Sequence, residues 1–119
     1  MDYKSFNGPH LMQQFQGDEE VLLEMISIFQ DTYPDLLGPI RDSIQERDAD
    51  KLRLNAHTFK GVFSNFFAED GAMLAYELEL RGQKAQFDDS HILLNRLEDQ
   101  LMLFLYEIVV LKKSLDKIS

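Results

Sequence analysis

Apolar residues recur at steps of three and four along almost the whole chain, and that period decides what it can fold into. Such steps keep side chains on one face of an α-helix, and no run shows the strict alternation of a half-buried strand. The first long stripe is Leu22, Ile26, Phe29, Tyr33, Leu36, Ile40 and Ile44. It stays in phase across Pro34, Gly38 and Pro39. Each proline removes a backbone donor, so the expectation is one bent helix rather than two. Gly17-Asp18 reads as a break and an N-cap, with Glu19 and Glu20 in the first turn, where carboxylates favour the helix dipole. Beyond a break at Arg47-Asp48-Ala49-Asp50 come Leu52, Ala56, Phe59, Phe63 and Phe66. Gly71, Leu74, Ala75 and Leu78 follow, ended by Gly82. The last stripe is Leu94, Leu97, Leu101, Phe104, Ile108, Leu111 and Leu115, with Asp88, Asp89 and Ser90 as candidate caps. A helix of some 28 residues here would reach roughly 40 Å. The expected fold is all-α: an antiparallel up-down four-helix bundle with a short additional N-terminal helix at Leu11-Met12-Gln13-Gln14-Phe15.

The 119 residues suit a single domain spanning 1–119. With no cysteine, disulfides, thiolate metal sites and a Cys nucleophile are excluded. Twelve Lys and Arg against 21 Asp and Glu give a net charge of −9. Such a surface repels phosphate backbones and anionic lipid, so neither nucleic acid nor membrane is an expected partner. Leu101 to Leu111, the longest greasy stretch, already contains Glu107 and is far short of the about 20 apolar residues of a membrane span. The N-terminus has no apolar core of signal-peptide length. The expected location is cytoplasmic.

One strip of the third helix carries polar chemistry. At about 100° per residue, Leu52, Ala56, Phe59, Phe63 and Phe66 cluster within about 80° and face the core. His57 lies well away from that centre, with Lys60, Gly61 and Ser64 along the same flank. Glycine inside a helix costs about 1 kcal/mol relative to alanine. Close approach of a backbone or bulky group beside His57 would account for Gly61.

His57-Thr58-Phe59-Lys60-Gly61 resembles the H-x-L-K-G core of histidine-containing phosphotransfer (HPt) domains of bacterial two-component phosphorelays. Phe15-Gln16-Gly17-Asp18-Glu19-Glu20 is similar to that family's loop into its first long helix, and Leu78-Glu79 falls where the family has Leu-Glu. The resemblance covers roughly Leu11 to Gly82. Two departures stand out. Phe59 replaces the usual leucine, and the family's Gly-Ala after an Asn is found only at Gly71-Ala72, which leaves the end of the third helix open.

The resemblance implies a phosphorelay intermediate rather than a stand-alone catalyst. His57 would accept a phosphoryl group from a receiver-domain aspartate, or from a hybrid sensor histidine kinase, and pass it to another receiver aspartate. Imidazole suits this, because one ring nitrogen is an unprotonated nucleophile near neutral pH. Lys60 would screen the phosphoryl charge, Gly61 would give the partner access, and Ser64 would donate to phosphoryl oxygens or border the docking surface. Glu79 would accept the Nδ1–H of His57 and leave Nε2 as nucleophile, with Gln83 as a weaker candidate. No cofactor or metal is expected on this chain, Mg²⁺ belonging to the receiver, and a monomer is expected. Neither G-x-x-x-x-G-K-[ST] nor G-x-G-x-x-G is present, so neither ATP binding nor self-phosphorylation is expected.

Two other readings compete. One is a bundle that binds a receiver or kinase as adaptor or inhibitor without carrying phosphate. The other is a di-iron bundle, for which Asp88-x-x-His91 has ligand spacing. That bundle needs two Glu-x-x-His motifs, and Leu54 stands at this offset before His57. His10, beside Pro9, has no cation or glycine at helical spacing. Phe6, Leu11, Met12 and Phe15 would cover one bundle end or join a docking patch near His57.

Overall fold

Each apolar stripe becomes one helix in the computed structural model, which describes residues 2–118. The helices are α1 (Gly8–Gln14), α2 (Glu19–Glu46), α3 (Ala49–Asn65), α4 (Glu69–Gln83) and α5 (Ser90–Ile118). Helix α2 lies beside α3 and α5, and α4 beside the same two, closing a four-helix ring. Cross-links fix the antiparallel sense. Arg41 pairs with Glu98, while Lys112 Nζ lies 3.4 Å from Ser27 Oγ and 3.3 Å from Gln30 Oε1. Among the described residues no helix is long and apolar enough to cross a membrane.

Both prolines sit inside α2, which runs unbroken through them. Pro34 is exposed and Pro39 half-buried, so neither interrupts the buried row. Around them Ile40 is buried as expected, but its two neighbours on the seam are each displaced by one position. Leu37 and Ser43 are buried, and Leu36 and Ile44 lie at its edge. Ser43 Oγ donates to Ile40 O at 2.8 Å, so its burial leaves nothing unpaired.

The break between α2 and α3 falls at Arg47-Asp48, as expected, but the way the helices close does not follow the glycine pattern. Arg47, Phe67 and Ala85 adopt left-handed φ values of 55°, 56° and 52°. Each closes its helix with the same pair of bonds: Asp48 N to Ser43 O and Arg47 N to Ile44 O, then Ala68 N to Phe63 O and Phe67 N to Ser64 O, then Gln86 N to Arg81 O and Ala85 N to Gly82 O. This is a Schellman closure, which usually takes glycine. Gly82 therefore does not end α4. It lies buried in the last turn, where a Cβ would come within 2.6 Å of Arg53 N and 2.8 Å of Ala49 O. Its missing side chain lets α3 and α4 touch backbone to backbone. Gly71 plays a similar part against the Phe63 ring, 2.6 Å from where its Cβ would be. Asp18 occupies the N-cap position of α2 without a side-chain cap bond. Of the candidate caps of α5, Asp89 receives the first helical amides at its carbonyl, while its carboxylate turns to Arg81 Nε and Nη2 at 2.8 and 2.9 Å. Ser90 Oγ donates to Phe87 O instead.

The N-terminal residues form a strap across one end of the bundle. Phe6 and Leu11 are buried, and Met12 and Phe15 pack at the margin of the core. Asn7 N donates to Phe67 O at 2.9 Å. Phe67 lies ten residues past His57, about 15 Å along the axis. The strap caps the bundle at that distance instead of bordering His57. Glu107, buried in α5, ties it down. Its Oε1 accepts from Ser5 N at 2.7 Å and Ser5 Oγ at 2.6 Å, and Lys4 N reaches both oxygens at 3.0 and 2.9 Å.

Burial pushes the Glu107 carboxyl up, but the Ser5 hydroxyl and the Lys4 and Ser5 amides outweigh it and hold it below the ordinary glutamate value. A depressed folded value means the clamp is at full strength above the ordinary glutamate range. It is lost as pH falls through the folded value. Glu107→Gln places an amide NH₂ among these donors, so amide hydrogen exchange should show Lys4 and Ser5 losing protection while the helices keep theirs. In the unaltered chain the same loss should follow acidification below the glutamate range. Unchanged protection in Glu107→Gln would remove the clamp.

Candidate functional site

Helix α3 is capped by Asp48, whose carboxylate accepts from Lys51 N at 3.1 Å. Leu52, Ala56, Phe59 and Phe63 fix its rotation by burial. His57 follows Ala56 and so turns away from the core, with its side chain 64% exposed. The close approach at Gly82 sets the register of α4 against α3. One turn before Gly82 on α4, Glu79 comes to lie opposite His57.

Glu79 Oε1 lies 3.1 Å from His57 Nδ1 and 2.9 Å from Lys60 Nζ. Lys60 Nζ also stands 4.9 Å from the centre of the Tyr76 ring. The order across the surface is Tyr76, Lys60, Glu79, His57. Burial pushes the Glu79 carboxyl up, and the hydrogen bonds from Lys60 and His57 more than reverse this, leaving it below its ordinary value. An ionised carboxylate only accepts hydrogen bonds, so the ring proton belongs on Nδ1. In the neutral ring Nε2 then carries the lone pair, and no described residue hydrogen-bonds to it.

The other candidates divide. Gly61 is exposed, and a Cβ built there meets nothing within 4 Å. No described residue makes the close approach expected beside it. Ser64 is exposed, but its Oγ donates to Lys60 O at 2.9 Å, a bond back to its own helix. It lies seven positions from His57, about 10 Å along the axis. Gln83 is exposed at the end of α4, and no hydrogen bond joins it to His57. His10 is exposed and touches the Phe67 ring. Among the described residues no three His, Asp or Glu side chains group as metal ligands, Asp88 and His91 included.

Tyr76 was not legible as a site residue. The available signal was its i, i+3 spacing from Glu79, which puts both on one face of α4. The surface around His57 is open. Two clefts, of about 340 and 280 Å³, lie at the N-terminal end, and neither is lined by His57, Lys60, Gly61 or Glu79.

No curated protein sequence matches the chain significantly. The crystal structure of histidine-containing phosphotransfer protein B (HptB) from Pseudomonas aeruginosa PAO1 superposes with a TM-score of 0.88 at 20% identity, covering 95% of this chain and 98% of that one. The family model of the Hpt domain matches residues 24–108. That span starts inside α2 and reaches far into α5. It leaves out the loop at residues 15–20 and extends well beyond Gly82, where the visible resemblance stopped. The match takes in α3, α4 and the His57–Glu79 pair, and with most of its length covered the chain belongs to the Hpt domain family, the histidine phosphotransfer domains of phosphorelays.

Proposed function

We propose that His57 takes up the phosphoryl group at Nε2 from a receiver-domain aspartate, or through a hybrid sensor kinase, and returns it to another receiver aspartate. The observation that carries this is the exposed imidazole whose Nδ1–H is held by Glu79 at 3.1 Å. The lone pair on Nε2 forms the N–P bond as the bond from phosphorus to the aspartyl oxygen breaks. That oxygen leaves with the bonding electrons as carboxylate. No proton has to be removed from Nε2. The ring, protonated at Nδ1 and phosphorylated at Nε2, becomes cationic, and the Glu79 carboxylate balances that charge. Reversal on a second receiver runs through the same positions.

Phosphoryl transfer needs in-line positioning and charge neutralisation more than covalent help. Lys60 supplies one positive charge on this side, and a receiver's Mg²⁺ supplies the rest, so the chain itself works without cofactor or metal. The open space at Gly61 and the exposed Leu54, one turn before His57, leave the approach clear. The bundle works as a cytoplasmic monomer that meets receivers in transient complexes.

Incubation with a radiolabelled phosphorylated receiver and Mg²⁺ tests this. Label should move to this chain, be lost in acid and survive base. Binding without transfer would favour the adaptor reading. Lys60→Ala should slow transfer about tenfold, equivalent to about 1.4 kcal/mol, with receiver affinity unchanged. An unaltered rate would remove Lys60 from the reaction.

A further inference from the structure

We propose that Tyr76 is a positioning residue for phosphoryl transfer, its ring face holding the Lys60 ammonium beside the His57–Glu79 pair. The proposal rests on the reading of His57 as phosphoacceptor. A lysine side chain is long and rotamer-rich, and on a surface its charge is spread over a wide volume. Here the Lys60 side chain is only 28% exposed, and two contacts localise its end: Glu79 Oε1 at 2.9 Å and the Tyr76 ring centre at 4.9 Å. The two contacts differ in kind. Glu79 Oε1 is shared, because it also receives His57 Nδ1–H at 3.1 Å.

Once Nε2 carries a phosphoryl group, the imidazole ring becomes cationic and draws on that same oxygen more strongly. The phosphoryl oxygens then offer Lys60 a second anion. The Tyr76 ring attracts a cation through its quadrupole and does not compete for protons. It therefore keeps Lys60 local while the ammonium turns from carboxylate to phosphoryl. Tyr76 itself is 41% exposed. Its hydroxyl makes no hydrogen bond among the described residues, so everything required of it comes from the ring.

This gives a clean pair of variants. Tyr76→Phe keeps the ring, and Tyr76→Leu keeps apolar bulk without it. Phosphoramidate serves as a donor too small to dock: its N–P bond breaks, ammonia leaves, and the phosphoryl group passes to Nε2. With it, Tyr76→Leu should take up phosphoryl about two- to fivefold more slowly, the size of an exposed cation–π contact, at unchanged melting temperature. Tyr76→Phe should restore the rate. In a Lys60→Ala background, Tyr76→Leu should add nothing. Ring-current shifts of the Lys60 ε-protons, read by NMR, should persist in Tyr76→Phe and vanish in Tyr76→Leu. With a phosphorylated receiver as donor, the maximal rate should fall while the half-saturating concentration stays constant.

A Tyr76→Leu variant as fast as wild type, or slow in Lys60→Ala as well, overturns the role. So does a slowing confined to the receiver donor through its half-saturating concentration, which marks a docking contact. A wild-type chain that accepts phosphoryl from neither donor overturns the acceptor reading itself. A labelled wild type with an indifferent Tyr76→Leu overturns the positioning role alone.

Discussion

Replacing His57 with Gln should abolish phosphoryl uptake and leave the bundle standing. The side chain is 64% exposed, and its hydrogen bond within the chain is to Glu79. A Gln amide can still donate to that carboxylate but has no nucleophilic ring nitrogen. Exposed substitutions of this kind stay within about 0.5 kcal/mol, so the thermal midpoint should move by no more than roughly 2–4 °C. Transfer from a labelled receiver and a circular-dichroism melt measure the two halves. Label retained at the wild-type rate would move the acceptor to His10 or His91. A steep fall in melting temperature would make His57 a structural residue.

Phe104→Ala should do the opposite. Phe104 is 1% exposed and meets four rings edge-on, with centroids at 5.6 Å for Phe6, 5.1 Å for Phe29, 5.9 Å for Phe63 and 5.2 Å for Phe66. These rings come from the strap, α2 and α3, so one truncation loosens three parts of the fold against α5. Burying a phenylalanine this fully, with edge contacts added, makes its loss cost about 3–5 kcal/mol. That should lower the melting temperature by roughly 10–20 °C. Below the transition, phosphoryl uptake should stay within about twofold, since His57 points away from this cluster. A fall of under roughly 5 °C would show that neighbouring rings refill the space.

These contrasting outcomes follow the division between what period could and could not reveal. Burial of Leu52, Ala56, Phe59 and Phe63 on one side of α3 placed His57 outside, because a single helix fixes its own faces. The break between α2 and α3 was readable at Arg47 to Asp50, but the closures of α3 and α4 were not, because Phe67 and Ala85, like Arg47, sit where glycine is the usual marker. Those positions are held left-handed by backbone bonds that close only when the helices exist. Gly82 misled for the converse reason: its role is contact with α3, which composition cannot distinguish from a stop. Glu79 entered through resemblance, and Tyr76 not at all, because both depend on the register between two helices. Glu107 looked like an interruption in a greasy stretch and is instead the anchor for residues about a hundred positions away.

The clear space over Gly61 has a cost in time. A phosphoryl group seated on His57 would face bulk water on the side of Gly61, where no described residue comes within 4 Å of an added side-chain carbon to enclose it. The loaded protein would then persist for as long as the bare nitrogen–phosphorus bond lasts, and how far a signal travels would depend on how soon a receiver collides with it.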